Sequence, residues 1–374
     1  MAILVTGGAG YIGSHTVAEL QRQGYDVVVF DNLEHGHRQA VRGCPLIVGD
    51  LLRPEEIGRV FDEYDIEGVI HFAAYVEVAE SMENPTKYFR NNVQGVVNLA
   101  EAMVHSGVRD IVFSSTCAVY GQPDRVPVTE EESLKPESVY GASKLMAEQV
   151  LHWFGVCHGL RYVALRYFNA SGAAADGTLG DEYKPASRII PVLMEYLLGQ
   201  RPRFFINGDD YPTPDGTCIR DYIHVDDLAT AHVAALRYLS AGKPSDAFNL
   251  GTGQGYSNLE IVDMVRQVTG LDFEVEIGPR RPGDPPMIWA DNSKARRVLG
   301  WEPRYGLREI IEHAWRWHST HPYGYGDGTC EDAQPVPGGR DDPPRPAVAG
   351  GGERAPDGSG HGDPERGPDR PRCR

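Results

Sequence analysis

A glycine-rich segment close to the N-terminus constrains the fold of this chain more than any other feature. The apolar run AILVT leads directly into Gly7-Gly8-Ala9-Gly10-Tyr11-Ile12-Gly13. This G-x-x-G-x-x-G spacing is typical of a tight turn between a strand and a helix, whose free N–H groups can bind a pyrophosphate. The segment therefore predicts a dinucleotide-binding unit, although a plain strand-to-helix loop is the alternative when the turn is taken alone.

Beyond this turn, apolar runs alternate with helical patterns as far as about residue 169. The runs are DVVVF, PLIVG, GVIHFAA, DIVFSS and YVALRYF, and helical patterns cover about 93–105 and 139–154. Continuous apolar strands separated by helices indicate a parallel sheet that is covered on both faces. We predict an α/β fold with a Rossmann-type, doubly wound sheet over residues 1–169, which residues 223–250 rejoin. Residues 170–321 are predicted to form a smaller C-terminal substrate-binding lobe.

The C-terminal segment 322–374 differs in composition from the rest of the chain. Gly and Pro supply about two-fifths of its residues, and Val336 and Val348 are its only branched aliphatic residues. Such a segment cannot bury enough apolar surface to offset the entropy lost on ordering. We therefore predict a disordered tail.

Charge, hydropathy and cysteine usage exclude several classes of partner. The formal net charge is −17 over 374 residues, which disfavours nucleic acid because its binding needs clustered Lys and Arg. No apolar run approaches the roughly 20 residues that span a bilayer, and the N-terminus has no basic signal-peptide region. The six cysteines form no C-x-x-C pair, which predicts free thiols and no metal site. A cytoplasmic protein without a membrane partner is expected.

Acidic residues after the second and third strands fit a dinucleotide site. Asp31 ends DVVVF about 20 residues after the glycine turn, where a carboxylate can accept hydrogen bonds from both ribose hydroxyls. Because Asp31 would repel a 2′-phosphate, NAD is favoured over NADP. Asp50 and Leu51 follow the third strand and form a plausible adenine contact, although an ordinary turn aspartate is the alternative.

Tyr140 and Lys144 are separated by four positions at the start of a helical pattern, so both side chains share one face. A neighbouring ammonium favours the phenolate and suits the tyrosine to act as a general base. The strand DIVFSS and the following Thr116 place a hydroxyl at the same sheet edge. A Thr, Tyr and Lys set beside a nicotinamide site can move a proton and a hydride from an alcohol.

The motifs of this chain resemble those of the extended short-chain dehydrogenase/reductases and, within them, the UDP-glucose 4-epimerases. The similar segments are TGGAGYIGSH, DNLEHG, GVIHFAA, NNVQG, FSSTCAVYG, YGASK, LRYFNASGA, DYPTPDGTCIRDYIHVDDLA and RRPGDPP. They stand in family order and cover about residues 2–323. The block from DYPT to DDLA is the most specific of them.

This resemblance implies a set of site residues and a reaction. The NAD site would be lined by Gly7, Gly10, Tyr11, Ile12, Gly13, Asp31, Asn32, Leu33, Glu34, His35, Gly36, Asp50, Leu51, Phe72, Ala73, Ala74, Tyr75, Val76, Asn91, Lys144 and Phe168. UDP-glucose and UDP-galactose would be bound by Thr116, Tyr140, Asn169, the segment Ser187 to Pro191 with Arg188, Arg220, Arg281, Asp284 and Ile288. Tyr140 would accept the proton of the sugar O4, directly or through Thr116, while a hydride passes from C4 to bound NAD and returns to the other face. A homodimer is the expected assembly.

Within that set, particular substrate contacts are implied for single residues. Arg220 and Arg281 would hold the diphosphate, and Asp284 would meet the uridine ribose. Ile288 matches a position beside the C2 substituent of the sugar, although a core aliphatic residue is the alternative. The chain departs from some family members at Val76 and Arg188, where they carry Lys and Asn.

Two other functions share much of this pattern. A nucleotide-sugar 4,6-dehydratase or decarboxylase has the same cofactor and the Tyr/Lys pair, but a dehydratase typically carries acidic residues after the Ser/Thr, where this chain has Cys117 and Ala118. A non-catalytic NAD-binding sensor would not need Tyr140, Lys144 and Thr116 together. The sequence therefore favours the epimerase interpretation.

Overall fold

The computed structural model describes residues 1–182, 184–281 and 284–326, and these residues belong to one compact unit. The strands are β1 (Ala2–Thr6), β2 (Asp26–Asp31), β3 (Leu46–Val48), β4 (Ile66–His71), β5 (Asp110–Thr116), β6 (Arg161–Tyr167), β7 (Asn169–Ser171), β8 (Phe205–Asn207), β9 (Ile219–Arg220), β10 (Tyr222–His224), β11 (Asp246–Leu250), β12 (Tyr256–Ser257), β13 (Glu276–Gly278) and β14 (Met287–Ile288).

The helices lie mostly between these strands. They are α1 (Tyr11–Arg22), α2 (Pro54–Glu63), α3 (Val78–Glu83), α4 (Pro85–Tyr88), α5 (Gly95–His105), α6 (Val139–His158), α7 (Ile189–Leu197), α8 (Val225–Ser240), α9 (Asn258–Thr269), α10 (Ser293–Leu299) and α11 (Leu307–Thr320). A π-helical turn, Phe89–Gln94, joins α4 to α5. None of the helices in the described ranges combines the length and the apolar character that crossing a bilayer requires.

Seven parallel strands form the central sheet in the order β11-β6-β5-β4-β1-β2-β3. Successive residues of β1 point to opposite faces: Ile3 and Val5 pack with residues of α1 and α8, whereas Leu4 packs with residues of α2, α5 and α6. Both faces are therefore buried, and the predicted Rossmann-type, doubly wound sheet is confirmed.

The order of the strands shows where the chain reverses direction across the sheet. From β1 the chain adds β2 and β3 on one side, and it then returns to the other side of β1 with β4, β5 and β6. Ligands of open α/β sheets bind beyond the carboxyl ends of the strands at such a reversal point. The ends of β1 and β4 carry Gly7 and Phe72, so the reversal point coincides with the predicted cofactor residues.

Residues that follow β6 form smaller sheets and a second core. β9 pairs with β12 and β14, and β8 pairs with β13. Apolar side chains of α7, α9 and α11, including Leu193, Ile261 and Ile310, form a separate buried cluster. Between these segments the chain returns to the main sheet with α8, which packs against α1, and with β11, which pairs with β6.

The first residues of the predicted tail are ordered. Residues 322–325 form a turn, and Tyr325 is buried because its ring packs against Trp317 at 4.8 Å between ring centroids. Its hydroxyl also accepts a hydrogen bond from the N–H of Gly180 at 3.0 Å. The predicted start of the tail at residue 322 is therefore wrong by a few residues, because an aromatic anchor lies inside the Gly-rich sequence. The remainder of that prediction, from residue 327 onward, lies outside the described residues.

Candidate active site

The glycine turn between β1 and α1 is closed against the neighbouring strand. Gly7 has a left-handed φ of 73°, and a Cβ atom at this position would lie 2.5 Å from the backbone nitrogen of Ala73. A Cβ atom on Gly13 would lie 2.2 Å from the carbonyl oxygen of Gly7. No side chain caps the N-terminus of α1 at Gly10. The turn is therefore a cradle of bare backbone at a helix N-terminus, which fits the pyrophosphate of a dinucleotide.

Asp31 holds this cradle to the end of β2. Its carboxylate oxygens accept hydrogen bonds from the N–H groups of Ala9 at 3.0 Å and Leu33 at 2.8 Å. Burial raises the pKa of Asp31, and the two backbone hydrogen bonds oppose that shift. Leu33 has a φ of 60°, a left-handed conformation that is costly for a residue with a side chain. The predicted ribose-binding carboxylate thus also fixes the shape of the loop that would surround the adenosine.

Two predicted cofactor loops meet beside this cradle. The Tyr75 hydroxyl donates to Glu34 Oε2 at 2.6 Å, and the Lys87 ammonium lies 4.0 Å from the centroid of the Tyr75 ring. Asp50 accepts the N–H of Leu52 at 2.8 Å, which is the turn geometry that the sequence left as an alternative to adenine binding.

The start of α6 brings the predicted catalytic side chains together. Ser138 caps the helix by accepting the N–H of Gly141 at 3.1 Å, so Tyr140 and Lys144 lie one turn apart on the face toward β5. The Thr116 hydroxyl at the end of β5 accepts the N–H of Ala118 at 3.1 Å and lies near enough to the Tyr140 phenol to lower its pKa. The Lys144 ammonium donates to the carbonyl of Ser114 at 2.8 Å and is only 2% exposed.

Burial dominates the electrostatics of this group. It raises the pKa of Tyr140 to about 12, the hydrogen bond from Thr116 opposes the shift, and the charges of Glu77 and Arg188 act on the phenol in opposite directions. Burial lowers the pKa of Lys144 to about 7, against the attraction of Glu148. The Tyr140 phenol therefore stays protonated at neutral pH unless another positive charge lies nearby. A positively charged group bound at this sheet edge would favour the phenolate.

Sequence reasoning did not find the residues that position this group. Ser81 in α3 accepts the backbone N–H of Tyr140 at 3.1 Å. In the π-helical turn, Asn92 accepts the N–H of Tyr75 at 2.9 Å and donates to the hydroxyl of Ser143 at 3.0 Å. The motif NNVQG contains Asn92, but the family resemblance points only to the neighbouring Asn91. A hydrogen bond between distant segments leaves no local sequence pattern, so Ser81 gave no comparable signal.

The predicted nucleotide-sugar residues fall into two groups. Arg220 is half-buried, with Nη2 at 3.6 Å from Asp284 Oδ1. β14 runs beside β9 with Ile288 opposite Arg220. Ile288 is 5% exposed and belongs to the same buried cluster as Phe168. Arg281 is exposed.

The other side of the pocket is formed by the segment before α7. Arg188 pairs with Asp181 at 2.8 Å, and its guanidinium lies 5.5 Å from the centroid of the Tyr11 ring. Asn169 lies opposite Tyr222 in the parallel β7–β10 pair. Because Tyr11 begins α1 at the glycine turn, Arg188 connects the substrate side of the pocket to the cofactor side.

A family model described as the NAD dependent epimerase/dehydratase family matches residues 3–251, more than half of the chain. The chain belongs to this family. The resemblance that the sequence motifs indicated is thereby confirmed.

Several members of this family align with the chain over nearly all of their own length. A UDP-glucose 4-epimerase of Lacticaseibacillus casei is 50% identical over 329 residues, which are 87% of this chain and 99% of that protein. The crystal structure of UDP-glucose 4-epimerase from Brucella ovis in complex with NAD is 47% identical with a TM-score of 0.82, covering 84% of this chain and 97% of that one. The UDP-Glc/GlcNAc 4-epimerase of Campylobacter jejuni is 42% identical with a TM-score of 0.75, covering 85% and 99%.

Proposed function

We propose that this chain is a UDP-glucose 4-epimerase that interconverts UDP-galactose and UDP-glucose, an isomerase of galactose metabolism. The observation that carries the proposal is the placement of Tyr140, within reach of Thr116 and one helical turn from Lys144, at the sheet edge where the glycine cradle also lies. The similarity to curated UDP-glucose 4-epimerases over nearly their whole length supports the same activity.

NAD fits the cofactor side of this site. The cradle at Gly7 and Gly13 has no room for a Cβ atom, and Asp31 stands where it favours a free ribose 2′-hydroxyl over a 2′-phosphate. We assign the cofactor contacts to the residues predicted from the sequence. When bound, NAD supplies the acceptor for the hydride from C4 of the sugar and gives it back, so that no net oxidation occurs.

The residues of the chain control the proton and the sugar in this reaction. Tyr140 takes the O4 proton, either directly or through the hydroxyl of Thr116, and returns it after the sugar has presented its other face. Lys144 is held within one turn of the base by its bond to Ser114, so its charge favours the phenolate when the site is occupied. Arg220, with Arg281 and Asp284, would hold the UDP portion while the sugar turns.

A dehydratase of the same family is the nearest rival, and the residues after Thr116 argue against it. Burial raises the pKa of the Cys117 thiol to about 12, so the thiol stays neutral at physiological pH. Ala118 carries no acid. The positions where a dehydratase typically places acidic residues therefore offer no charged proton acceptor.

The test is to incubate purified protein with UDP-galactose, first without and then with added NAD, and to identify the nucleotide sugar formed. UDP-glucose is expected in both cases. Tyr140→Phe should lower turnover by about 10² to 10⁴, because the phenolic oxygen is needed as the general base. Tyr120→Phe removes another buried phenol, which donates to Asn249, and controls for packing effects. A 4-keto-6-deoxy sugar, or full activity of Tyr140→Phe, would contradict the proposal.

We also propose that the protein is a homodimer formed through α6. Met146, Trp153 and Val156 lie on one side of this helix and are 43%, 62% and 62% exposed, an apolar stripe that a second copy could cover. Trp153→Glu should halve the mass measured by light scattering, whereas Phe205→Glu, which changes an exposed aromatic residue elsewhere, should not. An unchanged mass for Trp153→Glu would place the contact elsewhere.

A cytoplasmic location is part of the same proposal. The described cysteines Cys44, Cys117, Cys157 and Cys218 are free thiols, which is typical of a reducing compartment. Fractionation of cells that produce the protein tests this location.

A further inference from the structure

Glu77 is a carboxylate beside the catalytic base that the proposed mechanism does not use. It lies in the loop after β4, directly before α3. Its backbone carbonyl accepts a hydrogen bond from the Tyr88 hydroxyl at 2.7 Å and another from the N–H of Ser81 at 3.0 Å. Since Tyr88 and Ser81 are completely buried, the backbone of Glu77 is fixed in place.

The same helix also holds the base. Ser81 accepts the backbone N–H of Tyr140 at 3.1 Å, so Glu77 and Tyr140 are attached to one framework. The negative charge of Glu77 raises the pKa of the Tyr140 phenol, which places the carboxylate within electrostatic reach of the reacting oxygen.

A hydrogen bond joins the Glu77 side chain to the segment that is predicted to contact the sugar. The Ser187 hydroxyl donates to Glu77 Oε1 at 3.0 Å. Ser187 begins the segment predicted to contact the nucleotide sugar, just before α7. The Ser187–Glu77 contact therefore connects the predicted sugar-binding segment to the framework that holds Tyr140.

The Glu77 carboxylate makes no direct ion pair in the part of the chain that the structure describes. No Lys, Arg or His of the described ranges forms an ion pair with it, whereas the nearby Arg188 is paired with Asp181 at 2.8 Å. Glu77 therefore adds a carboxylate without an ion-pair partner in the described ranges, within electrostatic reach of the base. Because Glu77 is half-buried, water screens this charge only in part.

We propose that Glu77 is a specificity-determining residue that excludes nucleotide sugars with a carboxylate on the sugar, the UDP-hexuronic acids, while it accepts hydrogen bonds from the hydroxyl groups of neutral hexoses. This inference rests on the proposed function. C6 is only two bonds from C4, so a C6 carboxylate on a sugar that presents C4 to Tyr140 stays close to the phenol on which the charge of Glu77 acts. Like charges brought together in a binding site select strongly against the wrong partner.

The experiment measures the dissociation constants of UDP-glucuronic acid and UDP-xylose by calorimetry with the NAD-loaded protein. These ligands differ by the C6 carboxylate. The wild type is expected to bind UDP-glucuronic acid at least about tenfold more weakly than UDP-xylose. Glu77→Gln should reduce this ratio by about tenfold, and Glu77→Asp, which keeps the charge, should retain it. Glu83→Gln removes an exposed carboxylate from the same helix and should leave the ratio unchanged.

Two results would overturn the inference. One is equal binding of both ligands by the wild type, a result that does not depend on the folding of any variant. The other is a folded Glu77→Gln protein whose ratio stays within twofold of that of the wild type. Turnover of UDP-galactose by the wild type is measured in parallel, and its absence would overturn the proposed function while leaving the binding ratio interpretable.

Discussion

The ammonium of Lys144 combines a proposed catalytic role with an unfavourable environment. It is buried beside the Phe113 ring and bonds to one backbone carbonyl. Burial lowers its pKa to about 7, so the unfolded chain binds more protons than the folded protein from about pH 7 up to the ordinary lysine value of about 10.4. The buried charge therefore destabilises the cofactor-free protein below this range, and that cost is relieved as the pH rises.

Lys144→Met removes the buried charge, so comparing its stability with that of the wild type should reveal how much the charge destabilises the protein. In cofactor-free protein, its free energy of unfolding relative to the wild type should fall by up to about 1.4 kcal/mol per pH unit between about pH 7 and pH 10, because only the wild type loses the buried charge there. Urea denaturation at several pH values measures the difference, and turnover should be severely impaired. A difference that does not change with pH would show that Lys144 is charged equally in both states.

Ile288 combines a core position with a place in the substrate lobe. It packs with Val119 and Phe168 and lies opposite Arg220 in the β9–β14 pair. Whether the protein accepts UDP-N-acetylglucosamine should therefore depend on the size of the Ile288 side chain. We expect the wild type to prefer UDP-glucose and UDP-galactose, with weak conversion of the acetamido sugar.

Ile288→Ala should raise the kcat/KM for UDP-N-acetylglucosamine relative to UDP-glucose, and Ile288→Tyr should abolish the acetamido activity. The alanine variant should also lose about 2 to 5 kcal/mol of stability, because it leaves a cavity in a buried cluster. Measuring both kcat/KM values in the three proteins tests the expectation. A ratio that does not depend on residue 288 would assign Ile288 to the core alone.

At the scale of elements, the apolar runs of the sequence predicted every strand of the first part of the sheet because buried parallel strands are continuous in sequence. The run DIVFSS became part of β5, and the cap at Ser138 placed Tyr140 at a helix start. The π-helical turn and the Ser187–Glu77 contact could not be predicted in the same way. They depend on pairing between segments far apart in the chain, which local periodicity does not contain.

Gly13→Ala tests the element on which the cofactor side depends. The added Cβ atom would lie 2.2 Å from the Gly7 carbonyl oxygen, so the turn must open and NAD binding should weaken by at least about tenfold. Gly58→Ala in α2 is the matched control because a Cβ atom there meets nothing within 4 Å. It should stabilise the helix by about 0.5 to 1 kcal/mol. Normal NAD content in purified Gly13→Ala would show that the turn is not the cradle.

At the scale of the whole molecule, the fold should end at Tyr325. Tyr325→Ala should lower the free energy of unfolding by about 2 to 4 kcal/mol, because it empties a site packed against Trp317. Tyr323→Ala, at a position that is 73% exposed, should change it by less than about 0.5 kcal/mol. A chain shortened to end at Gly326 should keep the thermal midpoint and turnover of the full-length protein. A clear fall in either would show that the segment from 327 onward contributes to the folded unit.

The position of β11 has a consequence for how this protein is made. The strand pairs with β6 at the edge of the sheet, yet nearly eighty residues separate the two strands in the sequence and include most of the smaller sheets. A ribosome that has released the chain only as far as α7 therefore presents β6 as an uncovered edge strand, a template for pairing with other chains. Since domains emerge at about 5 to 20 residues per second, the unfinished sheet remains open for several seconds. The cofactor fold is thus complete only after much of its substrate lobe has been synthesised.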